Sequence, residues 1–271
     1  MISQSSYNAI IIMIATGLIL PLGLAAWWLI RKKEKLGTVL AGAATGFVFA
    51  IVLESIPKAI LMNPSNAIGK AITGSPALTI LVAALLAGLF EETGRLLVFK
   101  TVLKKRSNKE TAISHGIGHG GFEALYLLVL SGVQNLMFAS MINSGTFQDY
   151  INAAAAQGAD ISALEVIPES LKSLTPLTVC ISGFERVFAI LLHIGLSILV
   201  FYAVKRSKTG FYYLAVLLHA LFDVPAALYQ LGIIKNVLIV EALLAVYAII
   251  FFAVALKKLY DKDSCDTEVN C

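Results

Sequence analysis

The 271-residue chain is 58% hydrophobic and 14% charged, with a mean hydropathy of +0.82. Soluble domains carry roughly 25% charged residues, so this composition excludes an ordinary soluble globule. The net charge of +4 says less than the placement of the basic residues, and no nucleic-acid partner is expected. Three cysteines (Cys180, Cys265, Cys271) show no metal-ligand spacing and imply no disulfide framework.

In chain order, Met1 to Asn8 is polar and lacks the basic n-region and cleavage site of a secretory signal, so the first apolar stretch reads as a retained span. Seven apolar runs follow, at about 8–30, 37–62, 75–103, 111–141, 174–204, 210–231 and 236–256. Each is long enough to cross a bilayer as a helix. The fold expected is an all-α polytopic transmembrane bundle, one integral membrane domain over 1–271, in the bacterial cytoplasmic membrane with lipid as its surroundings. Connections with the basic runs RKKEK (31–35), KKRSNK (104–109) and KRSK (205–208), and the pair Lys257–Lys258, alternate with nearly neutral ones. Basic loops stay in the cytosol, which places the N-terminus outside and the C-terminus inside. The long connection 142–173, Ala-rich with Asp149, Asp160, Glu165 and Glu169, is expected to form a partial helix on the outer surface.

Ionisable residues within spans are expensive and mark function by default. Counted at ~1.5 Å per residue from the basic ends, Glu91 and Glu92 on span three lie about 18 Å deep. On span four His119 lies about 14 Å deep and Glu123 about 20 Å; on span five His193 is about 18 Å deep. On span six His219 and Asp223 come out at about 14 and 20 Å. All four histidines, His115 included, thus fall on spans four to six, and with the glutamates of span three the ionisable residues occupy four consecutive spans.

The four-residue spacing puts His115, His119 and Glu123 on one helix face, and His219 and Asp223 on another. Glu91 is four residues from Arg95 and could pair with it, leaving Glu92 to point elsewhere, but counting does not settle which glutamate plays which part. Peptide hydrolysis needs a base for water, an oxyanion donor and a proton for the leaving amine. A buried glutamate with a histidine across a cavity fits the base. His219, oriented by Asp223, fits the oxyanion donor. His115 and His119 at i,i+4, joined by residues of neighbouring spans, equally suit zinc, although HExxH is absent. The cofactor reading is therefore none or one zinc ion.

At Glu91-Glu92-Thr93-Gly94-Arg95 the chain resembles the EExxK/R signature of the PrsW and CAAX- and bacteriocin-processing membrane protease superfamily, and His219-xxx-Asp223 resembles its HxxxN/D motif. With GHGGFE at 118–123, Glu185-Arg186 to His193, and LLHALFD, the ordered set is most similar to the YhfC branch over residues 75–230, a four-span catalytic core. The resemblance implies an intramembrane endopeptidase acting on membrane-associated protein or peptide substrates. Glu91 and Glu92 would activate water, His219 and Asp223 would form the oxyanion hole, and the assisting residue would be His119, Glu123 or His193. Arg95 and Arg186 would position the others. Members include both metalloproteases and glutamate-type proteases.

Blander readings stand beside these. Glu54 and Lys58, flanking Pro57, read as a local salt bridge, and Glu185–Arg186 as a structural pair. Trp27, Trp28, Tyr212 and Tyr213 read as interface anchors, and His115 as interfacial. The competing function is a proton- or ion-coupled transporter, whose relays also use buried Glu, Asp and His. Such folds show duplicated halves; here no duplication is visible, and the ionisable residues are read as confined to spans three to six.

Overall fold

The computed structural model describes residues 1–158 and 161–260; Asp160, Cys265 and Cys271 lie outside the described residues. Every regular element among them is helical. Seven helices are long and apolar enough to cross a membrane: Gln4–Lys32, Leu36–Leu61, Pro76–Lys100, Glu110–Ser144, Pro176–Lys205, Gly210–Gln230 and Val237–Tyr260. They coincide with the seven expected runs to within a few residues, because polar caps and basic stretches bound each one.

Local chemistry explains the boundaries. Span three starts at Pro76, whose missing N–H costs nothing at the first helical position, behind Ser75, which accepts from the Leu78 amide. Asn236 caps span seven by accepting from Leu238 N at 2.9 Å. Span four ends at Gly145, whose φ of +81° is the left-handed conformation that closes a helix. Span two widens into a π-helical segment over Gly46–Leu53. Beside it, Lys58 Nζ donates to Glu54 Oε1 at 3.3 Å, the local salt bridge expected there.

Packing divides the chain into two compact units: Met1–Leu20 with Ala124–Phe184, and Pro21–Glu123 with Glu185–Cys271. In the first, the amide of Ile2 donates to Asn143 Oδ1 at 2.6 Å, and Ile2, Ile10, Phe138, Phe147, Ile151 and Leu171 form a buried cluster. The connection expected to be partly helical forms three short helices, Phe147–Ala156, Ser162–Glu165 and Ile167–Ser173. The first is amphipathic and turns Phe147 and Ile151 inward.

In the second unit, glycine sets how closely helices approach. A Cβ on Gly118 would overlap the Val39 carbonyl oxygen, and one on Gly42 would overlap that of His115, so spans two and four cross backbone against backbone. The basic segments meet at one end of this unit. Asn108 bonds Glu34, Tyr260 Oη donates to Glu110 at 3.4 Å, and Lys109 Nζ sits 4.3 Å from the Tyr260 ring. At this end Trp28 departs from the anchor expectation: it is buried and donates Nε1–H to Ser114 Oγ at 2.9 Å. Tyr212 is likewise buried, 2.8 Å from Thr93 Oγ1, whereas Trp27 and Tyr213 are exposed.

Candidate active site

The second unit holds the ionisable cluster, and Arg95 is its organiser. Its guanidinium is fully buried and can only donate. Nε donates to Glu92 Oε2 at 3.1 Å, and Nη1 to Ser197 Oγ at 3.1 Å and the His193 carbonyl at 3.4 Å. Nη2 lies 3.1 Å from His193 Nδ1. The question that spacing left open is therefore decided: Glu92, and not Glu91, pairs with Arg95. Three residues of separation suffice, and Glu91 is left to face the histidines.

From these donors the ring roles follow. Since Arg95 donates to Nδ1 of His193, that ring in its neutral form carries its proton on Nε2, which lies 3.0 Å from Glu123 Oε2. Glu92 accepts from Arg95 on one oxygen, and its other oxygen is 2.8 Å from His219 Nδ1. A carboxylate can only accept, so Glu92 fixes the His219 ring and leaves Nε2 facing outward, 3.7 Å from Glu91 Oε2 and 4.0 Å from Asp223 Oδ2. The expectation that Asp223 orients His219 is thus corrected: at 4.0 Å it makes no hydrogen bond, and Glu92 does the orienting.

His119 Nε2 is the meeting point. It lies 3.0 Å from Glu91 Oε2 and 3.1 Å from Glu123 Oε1, and its ring stacks on His193 with centroids 4.7 Å apart. Although close, Glu123 Oε1 accepts no hydrogen bond and is buried. Donor atoms of Glu91, His119, Glu123 and His193 all fall within 4.8 Å of one another.

The donor set fits zinc, which takes imidazole nitrogen and carboxylate oxygen at about 2.0–2.2 Å in four-coordinate sites. Carboxylate oxygens of Glu91 and Glu123 are available as the side chains stand, whereas Nε2 of His119, set between two carboxylates, and Nε2 of His193, facing Glu123, each carry a proton that a bound cation would displace. His119 departs from the usual arrangement in one respect: its buried Nδ1 has no hydrogen-bond partner among the described residues.

His115 is not interfacial. It is fully buried, 3.2 Å from both Thr45 Oγ1 and Ser197 Oγ, with Phe99 packed against it at 4.7 Å. Glu185 and Arg186 contact one another, as expected of a structural pair, and also line a cavity of about 180 Å³ with Glu91, Glu123, His219 and Asp223. One water needs roughly 10–15 Å³ of such space, so several fit. Sequence reasoning missed Ser197, although it lies one turn from His193 on the same face. Hydroxyls are too common in spans to stand out. It also missed Glu241 on span seven, whose buried Oε2 has no hydrogen bond, so ionisable residues are not confined to spans three to six.

A buried Glu/His cluster at the meeting of apolar spans, beside a polar cavity, defines a class of integral membrane protein with a polar centre. The chain belongs to the YhfC family: residues 16–244 match the model described as YhfC intramembrane metalloprotease. It is 35% identical over 262 residues to a Bacillus subtilis (strain 168) protein described as uncharacterized membrane protein YhfC, a match covering 96% of this chain and all of that one. No solved structure matches it. Family, relative and seven apolar helices agree on an integral protein of the bacterial cytoplasmic membrane.

Proposed function

We propose that this chain is an intramembrane protease that hydrolyses peptide bonds of membrane-associated substrates at the Glu91–His119–Glu123 cluster. The observation that carries the reading is the convergence of two carboxylates on His119 Nε2, with Glu123 Oε1 buried and unsatisfied. The family's description as metalloproteases and the resemblance of EETGR and HALFD to protease motifs support it.

Glu91, His119 and Glu123 are the residues that would hold a divalent cation. When bound, zinc supplies Lewis-acid polarisation of water and of the scissile carbonyl. His193, held by Arg95, donates to Glu123 Oε2 and turns Oε1 toward His119. His219, held at Nδ1 by Glu92, presents Nε2 to the cavity, where it takes a proton from the attacking water and returns it to the leaving amine. The water's oxygen bonds to the carbonyl carbon as the C–N bond breaks, giving one carboxyl and one amine terminus. Asp223 lines the same cavity and aligns the substrate.

The test separates these roles. Purified His119→Ala and Glu123→Gln should lose bound metal and cleavage of membrane peptides together. His219→Ala should keep the metal and lose roughly 10²–10⁴-fold in kcat, the span of general acid–base contributions. Undiminished cleavage by all three variants, or full activity in metal-free protein under chelator, would overturn the reading.

A further inference from the structure

The cavity that reaches the cluster lies wholly on one side of it. On span five it is lined by Glu185, Arg186 and Ala189, up to His193, away from the basic end at Lys205. On span six it runs from His219 through Asp223 and Ala226 to Gln230, the end furthest from the basic connection 205–208. Span seven contributes Leu244, in the first half of Val237–Tyr260 and well away from Lys257 and Lys258. Solvent exposure rises the same way. The side chains of Arg95, Glu92 and His119 are 0% exposed, Glu91 8%, Glu123 15%, Glu185 25% and Asp223 36%.

Toward the basic end the cluster is closed. Arg95, Ser197, His115 and Thr45 form a chain of polar contacts with no exposed member. Beyond them Phe99 packs on His115 and meets Phe201 edge-on at 5.3 Å, both rings buried. A separate cavity of about 370 Å³, lined by Lys100, Lys104 and Arg106, stops on these same two rings. The aromatic pair is a partition between a basic vestibule and the polar centre.

We propose that the site is entered from the end opposite the basic connections. Because basic connections are retained in the cytosol, this end is the extracytoplasmic one. Resting on the protease reading above, the substrate class is then a membrane-anchored peptide whose scissile bond lies in its extracytoplasmic or outer-leaflet segment, not in a cytosolic tail. Water reaches the cluster by the same route, since the four carboxylates along it are hydratable where the aromatic partition is not.

Directional labelling tests the route without requiring activity. Cys180, Cys265 and Cys271 are replaced by serine, and Ala189→Cys, Ala226→Cys and Gln230→Cys are introduced singly. A membrane-impermeant thiol reagent is applied to intact cells and to inverted vesicles, with Ser107→Cys marking the basic side. All three positions should react from the side opposite Ser107→Cys. Gln230→Cys, at the exposed end, keeps the test readable if a deeper cysteine impairs folding. Labelling of Ala189→Cys and Ala226→Cys from the same side as Ser107→Cys, or of neither from any side, overturns the route. A protein that labels as expected but cleaves nothing keeps the route and loses the protease reading. One that cleaves yet labels from the basic side does the reverse.

Discussion

Arg95 makes contacts to three residues of the site at once: Glu92 on its own helix, and His193 and Ser197 on span five. Each contact fixes a partner's direction, so one guanidinium sets which glutamate faces the cavity and which His193 nitrogen is protonated. Removing one member of a buried ion pair costs about 3–5 kcal/mol, because the remaining charge keeps its desolvation penalty. Arg95→Met is therefore expected to lower thermal stability in detergent far more than Glu91→Gln, whose carboxylate borders a hydrated cavity. Equal melting of Arg95→Met and the parent protein would show that Arg95 does not organise the site. Counting residues selected Glu92, Arg95 and His193 but not Ser197. It could not settle the partner of Arg95, because i,i+3 and i,i+4 neighbours are equally reachable on a helix and only the opposing span breaks the tie.

Among elements, the crossing of spans two and four depends on two glycines. A Cβ at Gly118 would overlap the Val39 carbonyl, and backbone atoms cannot rotate aside as a side chain can. Overpacking costs typically about 1–3 kcal/mol, and a backbone clash lies at the upper end. Gly118→Val should yield little monodisperse protein in size-exclusion chromatography. Gly23→Ala, where a Cβ meets nothing within 4 Å, should behave as the parent does. A well-folded Gly118→Val would show that the helices can separate at no cost. The Gly-rich stretch 116–121 was legible as a packing surface, since small residues let helices approach in membranes. Which helix approaches is a long-range property that spacing along one chain segment does not encode.

For the molecule as a whole, four basic segments gather at one end of the second unit, through Asn108–Glu34, Tyr260–Glu110, Lys109–Tyr260 and a cavity lined by both Lys104 and Lys205. Retention of such segments in the cytosol predicts that green fluorescent protein fused after the last residue is fluorescent, whereas alkaline phosphatase fused there is inactive. Active phosphatase at the C-terminus would reverse the topology, and with it the face on which the cavity opens.

The sequence by itself determined seven helices, their limits to a few residues, and the set of side chains that share a depth. Those properties follow from hydropathy and a fixed rise per residue, both local. Only the tertiary structure decided that Glu92 and not Glu91 pairs with Arg95, that Glu92 and not Asp223 orients His219, and that Phe99 and Phe201 close one side of the cluster. Each depends on which faces of separate spans meet. A periodic pattern shows which residues share a face, but the partner of that face is chosen by packing between segments up to a hundred residues apart.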